Sequence, residues 1–143
     1  MTRAIDIAKD IAFVLTECRS VAVVGVSNNP ARPSYGVAQY MQAQGWQIVP
    51  INPNETEILG ASCYPSLTAA AQHEKFELVN CFRNSADIPP IVHEAIALVA
   101  VAGVKAVWLQ QGIFNATAAA LAQAAGLTVV QDRCLKIEHR LLR

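Results

Sequence analysis

Short apolar runs alternate with longer segments of helical periodicity along the chain, and this alternation constrains the fold more than any other feature. A short run of Val, Ile and Leu bounded by turn residues is typical of a strand buried on both faces of a parallel sheet. Five such runs are present: Val21–Val26, Trp46–Ile51, Leu78–Phe82, Val104–Leu109 and Leu127–Val130. The chain is therefore predicted to place five strands in one parallel sheet.

Apolar residues recur at helical spacing before, between and after these runs. Helices are predicted over 4–18, from Ser34 to Gly45, after Ser66, over 88–102, after Asn115 and over 135–142. Strands that alternate with helices form parallel sheets through right-handed crossovers. The sequence thus predicts an α/β fold, a Rossmann-like doubly wound sheet in three α/β/α layers. A single domain over 1–143 fits this length.

Composition and charge argue against several classes of function. Eleven basic side chains balance eleven acidic ones, so no positive excess is available to neutralise a nucleic-acid backbone. The most apolar stretch, Ala95–Leu109, contains Gly103 and Lys105 and is shorter than the ~20 residues of a membrane span. The N-terminal segment contains acidic residues and lacks the continuous apolar core of a signal peptide. We therefore expect a soluble cytoplasmic protein that binds neither nucleic acid nor membrane.

The cysteines do not form a metal-binding or disulfide pattern. Cys18, Cys63, Cys81 and Cys134 are widely separated, and no histidine is placed so as to suggest a metal clip. We expect reduced, mostly buried thiols and no metal site.

The loop after the first predicted strand has the features of a phosphate site. Ligands of open α/β sheets bind beyond the carboxyl ends of the strands, where the strand order reverses. Gly25 permits a tight turn or a close approach, and Ser27 and Ser34 place hydroxyls beside a helix N-terminus that attracts anions. Arg32 adds a guanidinium suited to phosphate oxygens. Ser34 is also the expected N-cap of the helix.

Two common nucleotide fingerprints are absent. The loop lacks the second and third glycines of G-x-G-x-x-G, and no G-x-x-x-x-G-K-[ST] motif occurs. Asn52 stands at the end of the second strand, where NAD-binding domains carry an acidic residue for the ribose. The ligand is thus predicted to carry phosphates without having to be NAD or ATP.

An ordered set of segments resembles the stand-alone CoA-binding domain family, which is similar to the N-terminal CoA-binding domain of the succinyl-CoA ligase α subunit. The segments are VAVVGVSNNPARPSYGVAQYM, VPINPN, ILGASCYPSL, NCFRNSADIPPIVHEAI, GVKAVWLQQGI and AGLTVVQDRCLKIE. Together they extend from about Ile5 to His139. The resemblance implies that coenzyme A lies across the strand ends.

The resemblance also implies which residues contact the cofactor. By this resemblance, the residues that face the pyrophosphate are Gly25, Ser27, Arg32 and Ser34, and Val26 and Tyr35 of the same segment also contact the cofactor. Near the adenosine lie Asn52, Pro53 and Asn54. The groove is lined by Tyr64, Pro65, Ser66, Phe82, Arg83 and Asn84. The pantetheine arm is approached by Gln110, Gln111 and Gly112. The ligase often has a lysine where this chain has Asn54, and Arg83 could supply the missing charge.

The function expected from these features is non-catalytic binding of CoA or acyl-CoA. The phosphorylated histidine of the ligase lies in a second domain that is not part of this sequence, and no catalytic constellation is evident. One alternative is a sensor or redox protein for NAD(H) or another nucleotide. A second is a thiol protein in which Cys134, next to Arg133, forms a mixed disulfide with CoA, although a buried packing role for Cys134 is the simpler interpretation. A homodimer or a partner enzyme remains open.

Overall fold

The computed structural model describes residues 4–142, with side chains from residue 6 onward. Its strands are β1 (Ser20–Val24), β2 (Gln47–Ile51), β3 (Glu57–Ile58), β4 (Ala61–Ser62), β5 (Leu78–Cys81), β6 (Ala106–Leu109) and β7 (Thr128–Val130). Its α-helices are α1 (Ala4–Glu17), α2 (Pro33–Ala43), α3 (Leu67–Ala71), α4 (Ile88–Ala97), α5 (Val99–Ala102), α6 (Ala116–Ala124) and α7 (Leu135–Leu142), and a 3₁₀ turn covers Ser85–Asp87. The predicted Rossmann-like α/β fold is confirmed.

Five of the strands form one parallel sheet in the order β2-β1-β5-β6-β7. Val24 pairs with Ile51 on one side and with Cys81 on the other, so the carboxyl ends of the central strands lie side by side. The chain leaves β1 toward β2 and later returns to place β5 on the opposite side of β1. The strand order therefore reverses next to β1, where a doubly wound sheet binds its ligand.

Two apolar layers cover the sheet. Side chains from α1, α2 and α7 pack on one face, and those from α3 to α6 pack on the other. The central strands are buried on both faces, as the continuous apolar runs require. Trp108 is fully buried, and its Nε1 donates a 2.8 Å hydrogen bond to the carbonyl of Arg133. This tryptophan is therefore a core residue.

The sequence correctly predicts that helices begin after Ser66 and Asn115, and its N-cap prediction is wrong at Ser34. Ser66 and Asn115 cap α3 and α6, accepting hydrogen bonds from the N–H groups of Ala69 and Ala118. Ser34 does not cap α2, because Arg32 occupies the N-cap position and Pro33 begins the helix. Proline is favoured there because it has no N–H group to leave unpaired.

Two further details differ from the predicted elements. The periodic segment 88–102 forms two helices, because Leu98 leaves helical geometry at φ −103° and ψ 6°. The polar stretch before Tyr64 contains the small hairpin of β3 and β4, whose turn places Leu59 and Gly60 at φ 54° and 77°. This hairpin was not predicted, since strands of two residues have no detectable periodicity. Within residues 4–142, no helix has the length and apolar character to cross a membrane.

Candidate cofactor site

A cavity of about 370 Å³ opens where the first loop leaves the sheet. It is lined by Gly25, Val26, Ser27, Arg32, Pro33, Ser34, Asn52 and Phe82. Seven of these eight residues were predicted from the sequence, and Pro33 was not. The loop after β1, the start of α2 and the ends of β2 and β5 thus meet around one opening.

Gly25 has the backbone conformation and the close neighbours that explain its identity. Its φ is +84°, and a Cβ atom built there would lie 2.9 Å from Cδ of Arg83 and 3.0 Å from the carbonyl oxygen of Phe82. Phe82 is itself held by a 2.8 Å hydrogen bond from its N–H to the carbonyl of Val24. Only glycine allows the two strand ends to approach this closely.

Short hydrogen bonds within the loop fix its shape. The N–H of Ser27 donates to Oγ of Ser34 at 2.9 Å, and the N–H of Asn29 donates to Oγ of Ser27 at 3.0 Å. The side-chain amide of Asn52 donates to the carbonyl of Val26 at 2.8 Å. The serine and asparagine side chains therefore hold the loop in position before any ligand arrives, and both hydroxyl groups still have a proton to donate.

The electrostatic character of the cavity is positive. Helix α2 starts at Pro33, so the N–H groups of its first turn, including those of Ser34 and Tyr35, have no acceptor within the helix. Arg32 is exposed, and within residues 4–142 it forms no ion pair. A helix N-terminus beside a free guanidinium is an anion site.

A second cavity of about 180 Å³ adjoins the first and shares Gly25 with it. It also takes in Pro53, Pro65, Ser66, Arg83 and Glu94. Nη2 of Arg83 lies 3.4 Å from the Asp87 carboxylate, a weak and largely exposed pair.

Glu94 is a residue that the sequence analysis missed. Its carboxylate accepts hydrogen bonds from the N–H and hydroxyl of Thr68, at 2.8 and 2.6 Å, at the start of α3. The contact joins α4 to α3 across 26 positions, and no local pattern predicts such a pairing.

The remaining predicted residues lie outside these two cavities. Tyr35 is half-buried against the α1/α2/α7 layer, and Asn54 and Asn84 are exposed. Tyr64 donates its hydroxyl proton to Glu74 at 2.7 Å, and its ring stacks on His73. The hydrogen bond to the Glu74 carboxylate, reinforced by burial and by the charge of Glu74, raises the pKa of Tyr64. Tyr64 is thus engaged with its neighbours on the far side of β2.

The loop after β6 divides into a structural and an accessible part. Gln110 is buried, and its Oε1 accepts a 3.0 Å hydrogen bond from the N–H of Leu135 at the start of α7. Gln111 and Gly112 are exposed at the same edge of the sheet as the first loop. Gln111 is therefore accessible to a ligand, whereas the N–H of Gly112 is already bonded to the Asp132 carboxylate at 2.7 Å.

The four thiols are free and fall into two pairs. Cys18 and Cys81 are buried, and burial raises the pKa of each to about 12. Cys63 and Cys134 are half-exposed, so the expectation of mostly buried thiols holds for only half of them.

Comparison with known proteins assigns the family. A family model described as "CoA binding domain" matches residues 19–140. The chain belongs to the CoA-binding domain family. Family membership supports a CoA-binding role, and it agrees with the resemblance carried by the sequence motifs.

Two relatives of this CoA-binding domain protein match it over nearly their whole length, and a third matches it over a short segment. YneT of Bacillus subtilis is 33% identical over 134 residues, 94% of this chain and 95% of YneT. A solved structure of a hypothetical protein from Pyrococcus horikoshii is 36% identical with a TM-score of 0.86, covering 100% of this chain and 99% of that one. An ADP-forming acetate–CoA ligase of Archaeoglobus fulgidus shares 37% identity over 51 residues, which are 34% of this chain and 8% of the ligase.

The described residues fit a CoA molecule at the first loop. A diphosphate can approach the backbone at Gly25, because this residue has no side chain. The unpaired guanidinium of Arg32 and the N–H groups at the start of α2 can bind its oxygens. The two adjoining cavities provide space on both sides of that point.

Proposed function

We propose that this protein binds coenzyme A or acyl-CoA without catalysing a reaction, with the diphosphate seated on the loop between β1 and α2. The observation that carries the proposal is the cavity at the strand-order reversal, where exposed Arg32 and the first turn of α2 converge beside Gly25. Hydrogen bonds already hold the loop backbone and the start of α2 in place, so little ordering entropy is lost in this part of the site when the anion binds.

The adenosine end is proposed to lie toward β2 and the smaller cavity. Asn52 and Pro53 follow β2, and Pro53 and Arg83 both line the smaller cavity. Because Asn54 offers no charge, Arg83 is the cation that the 3′-phosphate of CoA would meet. Its ion pair with Asp87 is long and exposed, so exchanging that partner for a phosphate costs little.

The pantetheine arm is proposed to cross the ends of β5 and β6. Phe82 provides an apolar surface at the end of β5, and Gln111 and Gly112 are exposed after β6. Amide groups of the arm need hydrogen-bond partners of this uncharged kind.

Calorimetric titration with CoA, NADH and AMP tests the proposal. We expect CoA to bind, and Arg32→Ala to weaken binding by about 10- to 100-fold, since a hydrogen bond to a charged group is worth ~1.5–3 kcal/mol. Arg140→Ala is the matched control, because Arg140 is an exposed arginine on α7 that lines neither cavity. Absence of CoA binding, or equal losses in the two variants, would contradict the proposal, and tighter binding of NADH would favour the nucleotide sensor.

Cys134 supports a second candidate, a mixed disulfide with CoA. It precedes α7 as one of the two half-exposed thiols, and it packs against the same layer as Phe82. Its thiolate would attack oxidised CoA, forming the protein–CoA disulfide and releasing one CoA thiolate, which takes up a proton. Intact-mass analysis after exposure to oxidised CoA would show the adduct in the wild type and not in Cys134→Ser.

A further inference from the structure

A third cavity lies next to β7, the last strand in the sheet order, and neither of the two cavities described for CoA includes it. Its volume is about 230 Å³, and its walls come from α1, the loop after β6, α6 and the end of β7. Whole small-molecule sites are usually larger, about 300–1,000 Å³. This cavity is therefore of a size for one group of a ligand rather than for an entire cofactor.

The cavity opens at the same edge of the sheet as the CoA site. Its members Gln131, Asp132 and Arg133 directly follow β7, and Phe114 follows β6, so they lie at the carboxyl ends of the strands. Ile7 comes from the first half of α1, a segment that precedes the part of the chain matched by the family model.

The distance along the sheet matches the length of a pantetheine arm. From β1 to β7 the order contains three strand spacings, which amount to roughly 14 Å at ~4.8 Å each. The arm has about the length of an extended peptide of four or five residues, roughly 15 Å. A CoA whose diphosphate lies beside β1 would thus bring its sulfur to the rim of this cavity.

Hydrogen bonds join that rim to the loop over which the arm would pass. The N–H of Gly112 donates to Oδ1 of Asp132 at 2.7 Å, and the N–H of Asp132 donates to the carbonyl of Ile113 at 3.2 Å. Asp132 is held at φ 56°, a conformation that a residue other than glycine rarely adopts, so these contacts determine its position. The loop and the cavity wall consequently form one fixed surface.

We propose that this cavity receives the acyl group of a short-chain, uncharged acyl-CoA, an inference that rests on the proposed CoA-binding function. Ile7, Phe114 and the valines of β7 provide apolar walls. The charged groups at the cavity are two carboxylates, Asp10 and Asp132, against the single guanidinium of Arg133. Burial, together with the charge of Asp6, raises the pKa of Asp10, in keeping with the excess of carboxylates at this cavity. A carboxylated acyl group is therefore not expected to bind well.

Titration of the full chain with CoA, acetyl-CoA, butyryl-CoA, succinyl-CoA and palmitoyl-CoA tests the inference. We expect butyryl-CoA to bind roughly tenfold or more tightly than CoA, because two or three methylene-sized groups leave water. Gln123→Trp should fill the cavity and bring the affinity for butyryl-CoA down to that for CoA. Gln39→Trp is the matched control, an exposed helical glutamine on α2 that lines none of these cavities, and it should keep the preference.

The outcomes separate this inference from the proposed function. If CoA binds but butyryl-CoA gains nothing over it, or if Gln123→Trp keeps the gain, only the acyl site is wrong. A preference for succinyl-CoA or palmitoyl-CoA would overturn the assignment to a short uncharged chain. If CoA itself does not bind, both proposals fail. Phe114→Ala removes an exposed wall with little risk to folding and should lower the gain for butyryl-CoA while leaving CoA binding unchanged.

Discussion

Replacement of Gly25 by alanine separates the effect of close packing at the cofactor site from the effect of backbone conformation. Gly25 and Gly45 have similar dihedral angles, with φ of +84° and +90°. A Cβ atom at Gly45 meets nothing within 4 Å, whereas one at Gly25 meets the Phe82 carbonyl at 3.0 Å and Cδ of Arg83 at 2.9 Å. The two substitutions therefore share the cost of positive φ and differ in the contact.

The magnitudes follow from these contacts. An alanine forced into the left-handed region costs roughly 1–2 kcal/mol, which is the expected loss of unfolding free energy for Gly45→Ala. Arg83 can move its flexible side chain, but the Phe82 carbonyl belongs to a strand end fixed by its bond to Val24. Gly25→Ala should therefore lose about 1–3 kcal/mol more, the usual cost of overpacking. Both variants should still fold, since a domain of 143 residues has a stability of roughly 7–20 kcal/mol.

Urea denaturation of the wild type and the two variants, followed by calorimetry with CoA, provides the measurements. Gly25→Ala should also weaken CoA binding at least tenfold, because the strand ends separate where the diphosphate is proposed to lie, and Gly45→Ala should bind CoA normally. Equal losses of stability, within about 0.5 kcal/mol, would refute the packing argument. Unchanged CoA affinity in Gly25→Ala would refute the placement of the diphosphate.

Three further predictions concern stability and thiol reactivity. Burial alone would raise the pKa of Glu77, but hydrogen bonds from the Arg19 amide and from Lys105 lower it overall. The stability that this carboxylate contributes is therefore present at neutral pH and is lost as the pH falls through its folded-state pKa. In thermal unfolding, the stability of Glu77→Gln should depend less on pH than that of the wild type between about pH 3 and 6. A thiol-specific chromogenic reagent should label the native protein at two sites, Cys63 and Cys134. Cys63 should react more slowly, because burial raises its pKa. Labelling of all four thiols before unfolding would contradict the burial of Cys18 and Cys81. Asn115→Ala should lower the unfolding free energy by about 1–2 kcal/mol through loss of the α6 cap, as measured in urea, and an unchanged midpoint would show that the cap contributes nothing.

Local sequence patterns were sufficient for most of the fold. Buried parallel strands are apolar on both faces, so β1 and β6 appear as continuous apolar runs in the sequence, and Ser66 and Asn115 cap helices through bonds that span only three residues. The break at Leu98 and the hairpin at Gly60 were not predicted, because the apolar stripe of the helix continues across Leu98 and strands of two residues show no periodicity.

The first loop illustrates how far sequence reasoning reached at the candidate site. The residue types of Gly25, Ser27 and Arg32 pointed to a phosphate ligand, and the fold brings them to one cavity. The prediction for Ser34 was wrong in its structural role: its hydroxyl accepts a bond from Ser27 and does not cap the helix. From the sequence alone, Ser34 could either cap the helix or accept a bond within the loop. The path of the loop decides between these two roles.

The sequence alone determined the succession of strands and helices and the chemical character of the loop after β1, because these depend on contacts between residues close in the chain. Tertiary structure decided that Gln110 supports α7, that Glu94 reaches α3, and that α1 and β7 enclose a cavity. Those contacts join residues 25 or more positions apart. They arise only when the sheet order β2-β1-β5-β6-β7 sets which strand ends are neighbours, and no local pattern encodes that order.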